Sequence, residues 1–433
     1  KAFQYTSAVI SGMAFIYISL EGILLRAGDS SIVLMLAYFI IAVNFAYLSH
    51  HGSRRLFPYL SAVFAASSIY EIITLISKPF DIINFSLQLS ITGFILFSVL
   101  GIMHISKYVR IIQTASRDIG LSIMVLATMT AISFLLWWEL GVLLFLFMVA
   151  AYLVYKKEER IFLKEAAVWI APSLLGLSIA AFGEEINSNF SFYLKEFGYG
   201  VNFAIAAILV LLSSFVWKAV GEKRLDKISL YTSHALYTVA ILQALFNQIN
   251  HVWVQPLILL VGIGMYYYLY KKIGTKWVPF LVSIAALISY FSIIQAILLR
   301  FTLSHTMNSL IASSSAVTML LISYLCRKND VNISFAFGWV GHSIYPLTLL
   351  FTWLAFQKDC IYTFILALFV YAISTKLMTV EWKIKAFLYG SFTSLFFIVT
   401  TMLDQIINQS FGNYEFVFTS ALLLLFAFFA KDE

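Results

Sequence analysis

Two short motifs, His234-Ala-Leu-Tyr237 and His342-Ser-Ile-Tyr345, stand 108 residues apart, each inside a long apolar stretch. A histidine and a tyrosine three residues apart lie on one helix face. An ion at the centre of a bilayer costs about 2.5–3.5 kcal/mol on insertion scales, so such a histidine is expected to be neutral. Each motif therefore reads either as an interhelical hydrogen bond or as a stage in a proton or substrate path. His342 has the stronger claim to a path. Gly338, Gly341 and Ser343 let a neighbouring backbone come close, and Pro346 frees a backbone carbonyl one turn back.

Glu71 also falls inside an apolar stretch, with no basic residue within a helical turn. It is expected to be protonated, or to pair across helices with a cation such as Arg300. His342, Tyr345, His234, Tyr237, Glu71 and Arg300 are thus the candidates for an intramembrane polar path. Glu21, Glu139, Glu184 and Glu185 are the candidates for an acidic mouth on the outer face, where the same residues also read as a solvated rim. Gln243 and Gln295, in the matching phrases Leu-Gln-Ala-Leu and Ile-Gln-Ala-Ile, read as helix cross-links, and Ser313, Ser314 and Ser315 as a helix contact.

Other chemistries lack their residues. No His or Cys pair has metal-ligand spacing, and His50-His51 beside Arg54 and Arg55 reads as a loop surface. A Gly-rich phosphate loop and a G-x-S-x-G elbow are both missing. No metal or cofactor is expected, and no catalytic residue can be named. Cys326 and Cys360 are separated by a whole apolar segment and should not pair.

The elements that must position these side chains are membrane helices. With 61% hydrophobic and 11% charged residues, the 433-residue chain falls far short of the roughly 25% charge of a soluble domain. About 20 apolar residues cross a hydrocarbon core. That template predicts an all-α polytopic membrane protein with sixteen spans (range 14–16), near 4–25, 31–49, 56–77, 82–103, 119–138, 140–155, 166–182, 200–217, 228–246, 252–270, 277–299, 308–326, 333–356, 360–377, 384–403 and 416–430. Of 28 Lys and Arg, 23 lie at the termini or in the even-numbered gaps; only Arg26, Lys78, Lys195, Arg300 and Lys358 do not. By the positive-inside rule both termini are cytoplasmic.

The gaps are short, so one transmembrane domain spanning residues 1–433 is expected, without a soluble domain. The longest outer loop, 183–200, is expected to dip Phe190, Phe192, Tyr193 and Phe197 into lipid. The chain starts at Lys1 rather than methionine, which leaves a further N-terminal segment open. Tyr17, Tyr70, Tyr237, Tyr290 and Tyr345 each open a similar apolar phrase, two pairs of them 53 residues apart, which suggests repeated two-helix hairpins.

The net charge of +7 matches anionic lipid at the cytoplasmic face rather than nucleic acid. Membrane-protein partners are compatible with the aromatic-rich helices. Many spans with a few buried polar groups suit a transporter or a lipid translocase. The alternatives are a non-catalytic scaffold, or an enzyme acting on a lipid-linked substrate at the outer face; an enzyme is the less favoured class. Compactness and short loops suggest a bacterial plasma membrane.

Overall fold

The computed structural model describes residues 2–19, 32–51, 55–77, 84–103, 109–158, 160–189, 198–246, 253–301, 303–377, 379–407, 416–421 and 424. Among them the protein is all-α. The helices are α1 (Ala2–Ser19), α2 (Ile32–His51), α3 (Leu56–Ser77), α4 (Phe85–Ile95), α5 (Gln113–Ser133), α6 (Trp137–Lys157), α7 (Ile161–Asn189), α8 (Gly198–Val220), α9 (Lys223–Phe246), α10 (Val254–Ile273), α11 (Val278–Leu298), α12 (His305–Cys326), α13 (Val331–Phe356), α14 (Ile361–Leu377) and α15 (Glu381–Ile407). A π-helical turn, Leu96–Leu100, continues α4. Each helix overlaps one of the first fifteen predicted segments. Helix resumes at 416–421, and most of the sixteenth segment lies outside the described residues.

Ten of these helices (α2, α3, α5 to α8, α11 to α13 and α15) are long and apolar enough to cross a bilayer. The described helices also expose large apolar side chains, such as Phe162, Leu212, Leu350 and Phe369. Water would penalise so much exposed apolar surface, whereas lipid is its natural surrounding. These helices are compatible with a polytopic helical membrane protein.

The helices gather into two compact units, Lys1–Gln248 and Ile249–Glu433. Within each unit the most extensive packing joins helices across the basic gaps: α2 with α3, α4 with α5, α6 with α7 and α8 with α9 in the first, and α10 with α11, α12 with α13 and α14 with α15 in the second. Two of these hairpins turn on glycine. Gly221 (φ 87°) and Gly274 (φ 69°) adopt the left-handed conformation that ends a helix with little strain only at glycine.

Acids in the loops and at a helix start neutralise part of the basic charge. Glu222 accepts from Lys156 and from the Tyr155 hydroxyl, Glu158 pairs with Arg117, and Glu165 pairs with Arg224. The Lys156 hydrogen bond, assisted by Tyr155, holds the Glu222 carboxyl below its usual range despite some burial.

Asp330 performs the same service in the second unit and also caps α13. Its Oδ1 accepts from the Ile333 N–H at 3.2 Å and the Tyr270 hydroxyl at 2.8 Å, while Oδ2 accepts from Lys271 at 2.9 Å. Burial works against its charge, yet the bonds from Lys271, Tyr270 and Ile333 outweigh it and hold the carboxyl below its ordinary value. A depressed carboxylate contributes stability above its unfolded pKa and loses it as pH falls through the folded value. Asp330→Ala is therefore expected to cost about 1 kcal/mol at neutral pH, in the usual range for a lost helix cap. Melting of the two proteins across pH checks this: the difference should shrink below the ordinary carboxylate range, and a constant difference would refute the electrostatic part.

One predicted loop is shorter than expected. Helix α7 runs on to Asn189 and carries Glu184 and Glu185 as helical residues. Gly183, which looks like a terminator, is a packing residue instead: a Cβ there would meet the Asn202 side-chain oxygen at 2.9 Å. Phe190, Phe192, Tyr193 and Phe197 lie outside the described residues.

Candidate functional site

In the second unit, the ends of α12 and α14 and the first halves of α13 and α15 surround a cavity of about 860 Å³. The backbone geometry that opens it begins at the α12–α13 seam. Ser323 donates to the Ser334 carbonyl at 2.6 Å, and Ser334 donates back to the Ser323 carbonyl at 2.7 Å. Gly338 lies over the Ser323 hydroxyl, where a Cβ would sit 2.9 Å from the oxygen, and Gly341 lies equally close to Leu320. These small residues draw the two helices together on one face of α13, which leaves Trp339, His342 and Ser343 on the cavity wall.

His342 is half-buried and packs its ring on Phe387 of α15 at 4.4 Å between centroids. Its Nδ1 is buried without a hydrogen-bond partner among the described residues, and so is the hydroxyl of Tyr345, one turn along α13. Pro346 follows, so the His342 carbonyl lacks the N–H that would close its helical turn. A histidine nitrogen, a phenol and a backbone carbonyl are thus concentrated within one turn. Buried polar groups are nearly always paired, and unpaired ones call for water or a ligand.

The second motif is built differently. In the first unit His234 is almost fully buried, its Nδ1 lying 2.6 Å from the Leu230 carbonyl and 3.1 Å from the Ser233 hydroxyl. Tyr237 is fully buried. His234 is a satisfied core histidine, and the structure separates it in character from His342 despite the shared sequence.

The remaining sequence candidates lie away from the cavity lining or outside the described residues. Glu71 belongs to α3 of the first unit and is half-buried; Arg300, in the second, faces the Trp253 ring at 5.8 Å. Glu139 is buried and accepts from Asn84 at 2.5 Å, and Glu184 accepts from Asn202 at 3.0 Å. Glu185 extends from the same helix as Glu184, and Glu21 lies outside the described residues. Glu139 and Glu184 therefore act as helix fasteners. Tyr290 bridges α11 to α12 by donating to the Ile311 carbonyl at 2.7 Å, with the Ser314 hydroxyl 2.5 Å away, so Ser314 is a helix contact as its sequence patch suggests. Gln243 Oε1 is buried without a partner among the described residues.

The rim of the cavity is basic. Arg327 follows the last residue of α12 and Lys383 stands in the first turn of α15, and the lining holds these two cations and no carboxylate. Lys383 stands over the rings of Trp339 and Trp382 at 5.8 and 5.6 Å. Nothing in the sequence marks these four: Arg327 and Lys383 are two of the many basic residues of the even-numbered gaps, and the tryptophans have no distinguishing spacing. Among the described residues, no three His, Cys, Asp or Glu side chains converge as metal ligands would. No family model, curated protein or solved structure matches this chain.

Proposed function

We propose that the protein is a transporter or translocase of amphiphiles, and that the cavity is the vestibule of a polar path running toward His342 and Tyr345. The observation that carries this reading is the conjunction of a large cavity with a buried, unpartnered histidine nitrogen on a residue of its wall, one helical turn from the unpartnered Tyr345 hydroxyl. A histidine kept only for packing would have this nitrogen engaged, as the Nδ1 of His234 is. The helical framework is that of sixteen spans with both termini in the cytoplasm of a bacterial plasma membrane, and the vestibule then opens on the cytoplasmic side, where the basic loops lie. Repeated hairpins of about 53 residues supply the scaffold.

The test is water access at mid-membrane. Cys326 and Cys360 are replaced with serine, His342→Cys is introduced, and a membrane-impermeant thiol reagent is applied from each side of sealed vesicles. Labelling of folded protein from the side bearing the basic loops is expected. A thiol that reacts only after denaturation would make residue 342 a packing position and end the transport reading.

A further inference from the structure

We infer that the cavity binds an amphiphile whose phosphate head carries net negative charge, as a phosphomonoester does, with that head between Arg327 and Lys383 and its aliphatic chain along the wall formed by Leu321, Ile373 and Leu377. This names the substrate class for the path proposed above and rests on that reading for its functional meaning.

Three features of the cavity select this class. First, its charge is all of one sign: two cations line it without a carboxylate, and among the described residues neither cation has an acid in ion-pair range, unlike Lys156, Lys271 and Arg117. Phosphate is a natural ligand for such a pair, since Arg offers a planar fork and Lys a compact point charge. Second, Trp339 and Trp382 flank Lys383, and tryptophan is the side chain that sits at head-group depth with an apolar body and a polar edge. Third, Leu321, Ile373 and Leu377 line the cavity and are exposed, an apolar wall against which an aliphatic chain can lie. A free anion would have no use for that apolar wall, and an uncharged lipid would leave the cations unmatched. The volume of about 860 Å³ falls in the usual range of ligand sites, roughly 300–1,000 Å³.

The experiment uses the full chain in vesicles and its intrinsic tryptophan fluorescence. Brominated phosphatidic acid or brominated phosphatidylcholine serves as the quencher, and the Trp339→Phe/Trp382→Phe protein is subtracted to isolate those two indoles. Phosphatidic acid is expected to quench them at least about tenfold more effectively than phosphatidylcholine, since each basic residue near the surface contributes roughly fivefold toward an anionic lipid. Arg327→Gln/Lys383→Gln should abolish the preference, whereas Arg327→Lys/Lys383→Arg should keep most of it and so exclude misfolding as the cause. Equal quenching by both lipids, or a preference that survives the glutamine pair, would overturn the inference. So would complete relief of quenching by inorganic phosphate at millimolar concentration, which would mark a site for soluble anions. The preference without labelling at residue 342 would leave the lipid site standing and remove transport. Labelling without the preference would do the reverse.

Discussion

Gly120→Ala is expected to destabilise the first unit by about 2–3 kcal/mol, near the top of the range for overpacking a core. A Cβ at Gly120 would lie 2.8 Å from the Gly93 carbonyl oxygen, 2.8 Å from the Phe97 nitrogen and 2.9 Å from the Phe97 Cβ. Two of those atoms are backbone, so no rotamer change relieves the clash and α4 must move away from α5. The contact is reciprocal: a Cβ at Gly93 would meet the Gly120 carbonyl oxygen at 2.8 Å. Membrane helices associate by such close approach, because lipid offers no hydrophobic drive to hold them together. Displacing α4 would also lengthen the bond from Ser86 to the Ala127 carbonyl, now 3.2 Å. The control is Gly264→Ala on α10, where nothing lies within 4 Å of the added atom. Helix propensity alone then favours alanine by about 1 kcal/mol. Thermal or detergent unfolding of the two variants should move in opposite directions, and a Gly120→Ala protein as stable as the parent would refute the crossing.

The positions of the helices were legible in the sequence because apolar length and gap charge are one-dimensional properties. Which glycines matter was not. Gly93 has Leu89 and Phe97 four positions away, so no spacing of small residues marks it as a contact. Gly120 does follow Ser116 at that spacing, yet the sequence does not say which helix would meet the pair. Their match exists only once α4 and α5 cross. Gly183 shows the opposite error: read in sequence it opens a loop, and in three dimensions it is a notch for Asn202 within a continuous helix.

The site was half legible. His342, Gly338, Gly341 and Pro346 stand out through their types and spacing; Gly338 and Gly341 lie against α12, His342 lines the cavity and Pro346 stands inside α13. The twin motifs differ in their surroundings: a neighbouring serine and the preceding turn's carbonyl lie within hydrogen-bond distance of His234, a difference that spacing does not encode. Arg327 and Lys383 were hidden by their own usefulness: a basic residue at a helix end fulfils the topology rule whether or not it also faces a cavity. Only the convergence of α12 with α15 around a shared cavity tells the two roles apart.

Ala386→Trp is the substitution expected to remove function while sparing the fold. Ala386 lines the cavity from α15, about one turn after Lys383 and next to Phe387, whose ring packs on His342. An indole at this position has open volume to occupy, so the overpacking penalty of about 1–3 kcal/mol for a filled core does not apply. It would fill part of the cavity beside Phe387, the ring on which His342 packs. With the path blocked there, thiol labelling after His342→Cys should fall at least about tenfold, the factor that about 1.4 kcal/mol of added barrier produces. Translocation of a phosphate-bearing lipid in reconstituted vesicles should fall in parallel, with helical content and melting preserved. If labelling persists in the Ala386→Trp background, water reaches residue 342 by another route and the vestibule is misassigned. If labelling falls but translocation does not, the polar turn at His342 lies off the path, and Arg327 and Lys383 would belong to a lipid-binding site that regulates or anchors the protein.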